Sequence, residues 1–340
     1  MVKCEICEAK ANIFLEYKGI NRDDEFLVKA FANKAIWRCA NCDYCFCYPK
    51  VEYNLLKQYY QSKYWNEPER VRDGLLTKLR KFVPGLIGRN IWRLRKSDLS
   101  TQTQTDLIRQ FIEGRGGNSW LKGNSTLEIG AGQASISCVL RRNYSSLRAH
   151  VVEPSDEFQY IYRRYGIKKV SNTFEEMGES YRYAIISSSH WLEHVIDVHS
   201  SFLKIRRLLK DDGIIFIEVP NCQDPYFKYR LFPNPPHLNF YTPKSIRFLV
   251  EKYDFQVLFL MTCGRPIEWE KDIGYLKLDT PILINNFDLE KLAQERESKF
   301  KSLLESLDRD TRKAIASHGF QNTYSENGRE FIRLIAMPNR

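Results

Sequence analysis

The apolar positions of the chain follow two periods, and their alternation outlines the fold. Short apolar runs bounded by turn residues mark strands at Thr126 to Ile129, within AHVVEPS, around Ile167 to Val170, at Tyr183 to Ser188 and in GIIFIEVPN. Between the last two, a helical pattern from about Ser200 to Leu209 ends near Asp211, Asp212 and Gly213. Strands that alternate with helices predict an α/β fold, a mostly parallel sheet with helices on both faces. Outside this region the pattern is helical. The tyrosine-rich stretch from Lys50 to Trp65 predicts a helix docking onto a larger domain, and Phe287 to His318 carries an apolar stripe of Leu289, Leu292, Phe300, Leu303, Leu304 and Leu307.

With 340 residues, the chain has room for one catalytic-sized domain and one or two smaller attachments. Its hydrophobic content of 43% suffices for a core. No run approaches the roughly 18 to 20 apolar residues of a membrane span, and a Cys-x-x-Cys stands where a signal peptide would begin. A cytoplasmic protein is therefore expected, and its nine cysteines read as thiols or metal ligands rather than disulfides. The formal charge of +10 favours an anionic partner: nucleic acid, nucleotide-sugar, anionic glycan or membrane surface. Positive charge concentrates at Arg70, Arg72, Lys78, Arg80, Lys81, Arg89, Arg93, Arg95 and Lys96. That stretch reads either as a solvated helical connector or as a docking surface for an anionic polymer or lipid headgroups.

Two features carry chemistry. Cys4 and Cys7 form one Cys-x-x-Cys, and Cys39 and Cys42 form another. Four thiolates suit tetrahedral Zn2+ in a closed, structural site, which can hold together a module too small for its own core. The glycine usual after each second cysteine is replaced by Glu8 and Asp43, and Cys45 and Cys47 are alternative ligands. The second feature is TLEIGAGQASIS, a strand that opens into a glycine turn and a helix, the arrangement that brings backbone N–H groups close to a nucleotide-containing ligand. Glu153, about twenty residues on, ends the next strand, where an acid accepts hydrogen bonds from ribose hydroxyls. Position 135 is Ser, so the dinucleotide pattern Gly-x-Gly-x-x-Gly is incomplete.

The region from Thr126 to Tyr253 resembles a class I S-adenosylmethionine-dependent methyltransferase. LEIGAG resembles the family's methionine-proximal turn, with Ala134 replacing its third glycine, and VVEPS its ribose acid. SHWLEHVIDVHSSFLKIRRLLKDDGIIFIEVPN is similar to the block from strand four to strand five. PPHLNFYTPKSIRFLVEKYDF resembles the segment after strand five in a bacterial subgroup. That subgroup often carries a cysteine-paired N-terminal module and a tyrosine-rich linker, as WRCANCDYCFCYP and QYYQSKYW do here. The resemblance implies a Rossmann-like seven-stranded sheet, completed by strands at Gln256 to Cys263 and Phe331 to Pro338. It adds a small zinc-ribbon-like module before the sheet and a helical insertion near the C-terminus. The implied organisation is a zinc module over 1–50, a helical basic linker over 51–118, a core over 119–264 plus 329–340, and an insertion over 265–328 that packs, dimerises or covers the acceptor site.

The same resemblance implies S-adenosylmethionine held by Glu128, Gly130, Ala131, Gly132, Gln133, Glu153, Pro154, Thr173, Ser188 and His190. It implies an acceptor that is a sugar, nucleotide-sugar or glycan terminus, as in carbohydrate and polysaccharide biosynthesis, contacted by Asn239 and Tyr241. Methylation of a hydroxyl needs alignment with the donor and removal of one proton. His190 and His194, four apart in HWLEH and expected on one helical face, and His237, on the loop after strand five, are the candidate bases. His190 also suits the methionine end of the cofactor pocket. Sugar C-methylation and RNA modification, with the zinc module and basic stretch gripping phosphates, are the alternatives. Asn234, Pro235, Pro236 and His237 imitate the signature of nitrogen methyltransferases, but after the fifth strand instead of the fourth.

Overall fold

A computed structural model of the chain describes residues 2–17, 25–62, 96–223, 235–266, 302, 305, 306 and 324–339. The basic stretch up to Arg95, most of the 265–328 insertion and Asn234 lie outside the described residues. Among the described residues, no helix is long and apolar enough to cross a membrane.

Strand β4 (Ser125–Ile129) is buried along its whole length and sits at the centre of the parallel part of the main sheet. On one side it pairs in parallel with β5 (Arg148–Val152), which pairs with β6 (Ile167–Ser171). On the other it pairs in parallel with β7 (Tyr183–Ser189), and β7 with β8 (Leu209–Pro220). The sheet then turns antiparallel through β12 (Arg329–Pro338) and β10 (Phe255–Pro266). The sequence predicts seven strands; the sheet has eight, because the two-residue β11 (Tyr324–Ser325) lies on the outer edge of β10.

Strand alternation assigns side chains to the two faces of this sheet. Ile215, Ile217 and Val219 of β8 share a core with Val198, Phe202 and Ile205 of helix α7 (Val198–Leu208) and with Ile246, Leu249 and Val250 of α8 (Pro243–Lys252). Ile214 and Phe216 face the other way, onto Leu107, Ile108 and Ile112 of α3 (Lys96–Glu113) and Ile136 and Leu140 of α5 (Ser135–Asn143). Helix α3, assigned by sequence to a linker, therefore packs into the second core. Glu218 and Arg333, directly opposite each other on β8 and β12, belong to that same face. Their side chains are fully buried as an ion pair.

A second sheet runs β1 (Ala11–Glu16), β2 (Ala35–Cys39), β3 (Cys45–Tyr48) and β9 (Asn239–Phe240). The first three strands come from the N-terminal module, flanked by α1 (Glu25–Phe31) and α2 (Tyr53–Ser62). The fourth comes from the loop after β8, paired as Cys45 with Phe240 and Phe46 with Asn239. Cys4, Ile6, Cys39, Tyr44 and Phe46 are continuous with the core that holds α7 and α8. The module and the main sheet thus share one apolar interior.

Breaking a buried ion pair on one side leaves an uncompensated charge, at a cost of about 3–5 kcal/mol. Arg333→Met is accordingly expected to lower stability in urea unfolding by that order, and Glu218→Gln combined with Arg333→Met to recover most of the loss. A double variant as unstable as the single one would show that the charge is not the cause.

Candidate functional site

The turn after β4 is built from left-handed residues: Gly130 at φ 65°, Gly132 at φ 48° and Ala134 at φ 52°. Glycine is required at position 130 for a second reason, since a Cβ there would lie 2.8 Å from Cβ of Trp191. The amides of Gly130 and Ala131 donate to the Val152 carbonyl at 3.0 and 3.2 Å, tying the turn to the end of β5. Helix α5 starts with no side-chain cap of its own. The buried carboxylate of Glu128 supplies one from β4, accepting from the Ser137 amide at 2.8 Å. Burial pushes the Glu128 pKa up to about 7. The structure therefore places Glu128 beneath the turn as a cap.

Glu153 is buried at the tip of β5 and accepts from the Gly132 amide at 2.8 Å and the Ser155 amide at 3.0 Å, one on each oxygen. A carboxylate has about four lone-pair sites, more than these two amides use. Pro154 follows it half-buried, while Gln133 is exposed on the turn. Ser188, paired with Ile129 at the ends of β7 and β4, is buried, and its hydroxyl has no partner among the described residues. Thr173 is hydrogen-bonded to Tyr53 of α2 at 3.2 Å. An adenosyl donor fits this crevice: a glycine turn at strand ends, a buried carboxylate at the tip of β5 and a buried hydroxyl unsatisfied among the described residues.

The three histidines are not equivalent, and the helix expected through HWLEH is absent. A single 3-10 turn over Leu192–His194 stands there, preceded by His190 at φ 54°. The His190 amide donates to the Glu218 carbonyl at 3.0 Å, which holds it in that left-handed conformation. Its Nδ1 lies 3.2 Å from Oε1 of Glu193 and its Nε2 3.5 Å from Oε1 of Glu218. Burial opposes a charge on this ring, but the two carboxylates outweigh it and push the pKa up to about 10. The two carboxylates thus favour the protonated form of His190, which cannot act as a base.

His194 faces away from His190. Its Nδ1 hydrogen-bonds the Tyr60 hydroxyl of α2 at 2.8 Å, its ring meets the backbone of Pro236, and its centroid lies 4.8 Å from that of His237. Burial, reinforced by His237, pulls its pKa down to about 3, so the ring is neutral. Glu193 completes the group, with its carboxylate within 4.8 Å of both imidazoles.

Asn239 and Tyr241, expected to contact the acceptor, are buried supports instead. The Asn239 amide donates to the carbonyls of Leu192 at 3.1 Å and Val195 at 2.6 Å, and its oxygen accepts from the Tyr44 hydroxyl at 2.5 Å. Tyr241 is fully buried against Tyr44, with ring centroids 5.4 Å apart. On either side of this pair, the Tyr17 hydroxyl donates to the His237 carbonyl at 2.8 Å and the Leu238 amide to the Glu193 carbonyl at 2.8 Å. Sequence reasoning missed Tyr60, Glu193 as a site carboxylate, Gln104 and Arg333. Gln104 donates to Glu218 at 2.6 Å and to Ser189 at 3.0 Å, and Arg333 donates to Thr103 at 2.9 Å and Tyr324 at 2.7 Å. An arginine inside the apolar strand FIRLIAMP is the one signal that pointed to this network.

Cys4, Cys7, Cys39 and Cys42 converge, with Sγ atoms 3.6 Å apart for Cys4 and Cys42 and 3.3 Å for Cys7 and Cys39. A hydrogen bond from Cys42 draws the Cys4 thiol down to about 5. Amides of Asn41 and Cys42 point at Sγ of Cys39 from 3.4 and 3.5 Å. Glu8 and Asp43, which stand where glycine is usual, have φ 62° and 61°, the left-handed conformation that explains the preference. Cys45 and Cys47 point elsewhere, their thiols donating to the carbonyls of Asp43 and Pro49 at 3.8 and 3.6 Å.

Residues 93–260 match a family of methyltransferase domains. No curated protein matches the sequence. Similar solved structures include a putative sarcosine dimethylglycine methyltransferase from Galdieria sulphuraria, 12% identical, covering 71% of this chain and 85% of its own, with a TM-score of 0.44. They also include an S-adenosylmethionine-dependent methyltransferase from Clostridium acetobutylicum, at 10%, 71%, 92% and 0.43. The YcgJ protein of Bacillus subtilis gives 14%, 70%, 99% and 0.43. The family match spans the glycine turn and every parallel strand of the main sheet, so residues 93–260 form a methyltransferase domain and the chain is a methyltransferase.

Proposed function

We propose that the enzyme methylates a sugar hydroxyl on a nucleotide-sugar or a glycan terminus, using S-adenosylmethionine as donor and a structural Zn2+ in the N-terminal module. The observation that carries this reading is the group formed by Glu193, His194, His237 and Tyr60. It joins the turn after β7, the loop before β9 and the N-terminal module in one polar cluster. The similarity of PPHLNFYTP to a sugar-modifying subgroup supports the acceptor class.

When bound, S-adenosylmethionine supplies a methyl group on a sulfonium, open to in-line attack by an oxygen. In this reading Gly130 and Gly132 let the chain approach the donor, Glu153 accepts from its ribose hydroxyls, and Ser188 offers a hydroxyl to it. The acceptor hydroxyl then meets the group of two imidazoles and a carboxylate. His194 and His237 orient it and draw its proton, while His190, held as a cation, fixes Glu193. Cys4, Cys7, Cys39 and Cys42 would hold Zn2+ in a closed tetrahedral site, and the metal would keep β1 to β3 folded beneath Tyr17, Tyr44 and Tyr60.

Radiolabelled methyl transfer across a panel of nucleotide-sugars, followed by NMR of the product, tests the acceptor directly. Methylation at a sugar oxygen supports the reading, whereas transfer only to carbon or to RNA overturns it. Glu153→Ala is expected to weaken S-adenosylmethionine binding about 10- to 100-fold by calorimetry, the value of one or two charge-assisted hydrogen bonds. Unchanged affinity would remove the ribose assignment. Cys39→Ser is expected to raise the acceptor KM more than it weakens cofactor binding, because the hydrogen bonds of Tyr17, Tyr44 and Tyr60 go to the His194 and His237 side. Equal losses on both sides would contradict that division.

A further inference from the structure

We propose that Glu193, His194 and His237 form a binding site for a divalent transition-metal ion, distinct from the cysteine cluster, with at least one coordination position open to an acceptor oxygen. The proposal rests on the reading of this cluster as the acceptor site and deepens it.

Each of the three residues offers a ligand atom, and these atoms lie within 4.8 Å of one another. Any three such atoms fit within about 2.8 Å of a common point, so an ion there reaches bonding distances of ~2.1 Å after shifts of under about 1 Å per side chain. Two imidazoles and a carboxylate suit borderline divalent ions such as Zn2+, Co2+ or Fe2+, and three protein ligands leave part of the coordination sphere open.

A second observation points the same way. The Glu193 side chain is 3% exposed, and its Oε2 has no hydrogen-bond partner among the described residues. An ionised oxygen left unsatisfied in the interior is costly, and a bound cation is one of the few groups that satisfies it. The outer contacts match those of a metal site, where ligands are oriented by hydrogen bonds from behind. His190 holds the other oxygen of Glu193 at 3.2 Å, and Tyr60 hydrogen-bonds Nδ1 of His194 at 2.8 Å. The metal would replace the contact between the His194 ring and the Pro236 backbone. Its ligands come from two segments that the Asn239 hydrogen bonds already hold together. An acceptor hydroxyl on such an ion would lose its proton to solvent far more readily than in water, so the two imidazoles would serve as ligands and the metal would replace them in activating the hydroxyl.

The test uses the full chain with its cysteine cluster already filled by one equivalent of Zn2+, titrated with Co2+ and followed by visible absorption. Expected is a weak spectrum of nitrogen and oxygen ligation, saturating at one Co2+ per chain and free of the intense thiolate-to-cobalt band of a cysteine site. Glu193→Gln and His237→Ala should each weaken this binding at least about tenfold while still binding S-adenosylmethionine, which shows that they fold. His199→Ala, a histidine that faces Tyr253 instead of the cluster, should bind Co2+ as the parent does. No saturable spectrum, or the same affinity in both ligand variants, overturns the site. Co2+ binding without methylation of any sugar would uphold the metal and overturn the acceptor class. Sugar methylation at full rate after removal of the second metal would uphold the acceptor class and overturn the open coordination position.

Discussion

Asn239 is an asparagine whose amide is spent entirely on holding three separate parts of the chain together. One end donates to the carbonyls of the turn that carries Glu193 and His194, and the other accepts from Tyr44 of the cysteine module. Because the group is buried, losing any of these partners strands a polar atom at a cost of about 1–3 kcal/mol. The two-residue strand β9 would otherwise be too short to persist, since isolated pairings of this length are marginal. Its backbone pairs with β3 while its side chain grips the turn after β7. The module is for that reason part of the catalytic domain's interior, and Tyr60 and Tyr17 reach the histidine cluster from it.

Charge along the ends of β8, β12 and the turn after β7 is arranged as an alternating series, with buried Arg333, Glu218 and Glu193 and a part-exposed His190. Arg333, Glu218, His190 and Glu193 run in order from β12 to the turn after β7, with two positive and two negative members. Each carboxylate has a cation beside it, which holds Glu218 down to about 2 against the effect of burial. The series explains why a histidine in the motif became a fixed charge. An imidazole between two buried carboxylates is worth more to the fold protonated than as a base.

The strand, turn and helix proposed to hold the donor were legible in the sequence because their parts are local. Strand, glycine turn and helix are contiguous from Thr126 to Asn143, and Glu153 follows in the next unit, so spacing alone places them. The acceptor half was not. Tyr60 lies 134 residues from His194, and Tyr44 lies 195 from Asn239. No periodicity encodes such pairs. The helix read through HWLEH failed for a related reason: the tertiary bond from the His190 amide to Glu218 imposes a left-handed residue that intrinsic propensity would reject. The four cysteines were readable because two knuckles restrict their own geometry, yet the sequence did not show that their module borrows its fourth strand from the catalytic domain.

The two halves therefore rest on different kinds of support. Contacts around the donor turn join β4, β5 and α5, which lie within about thirty residues of one another and fold as one α/β unit. Those around His194 and His237 join the module, the turn after β7 and β9, and no one of these segments builds the cluster alone. A substitution in the module, such as one at Tyr17 or Tyr60, alters the contacts of His237 and His194 without touching the glycine turn. On the proposed reading, acceptor choice can change through the N-terminal sixty residues while the sheet beneath the glycine turn stays as it is, which is the arrangement expected where one methyl donor serves many acceptors.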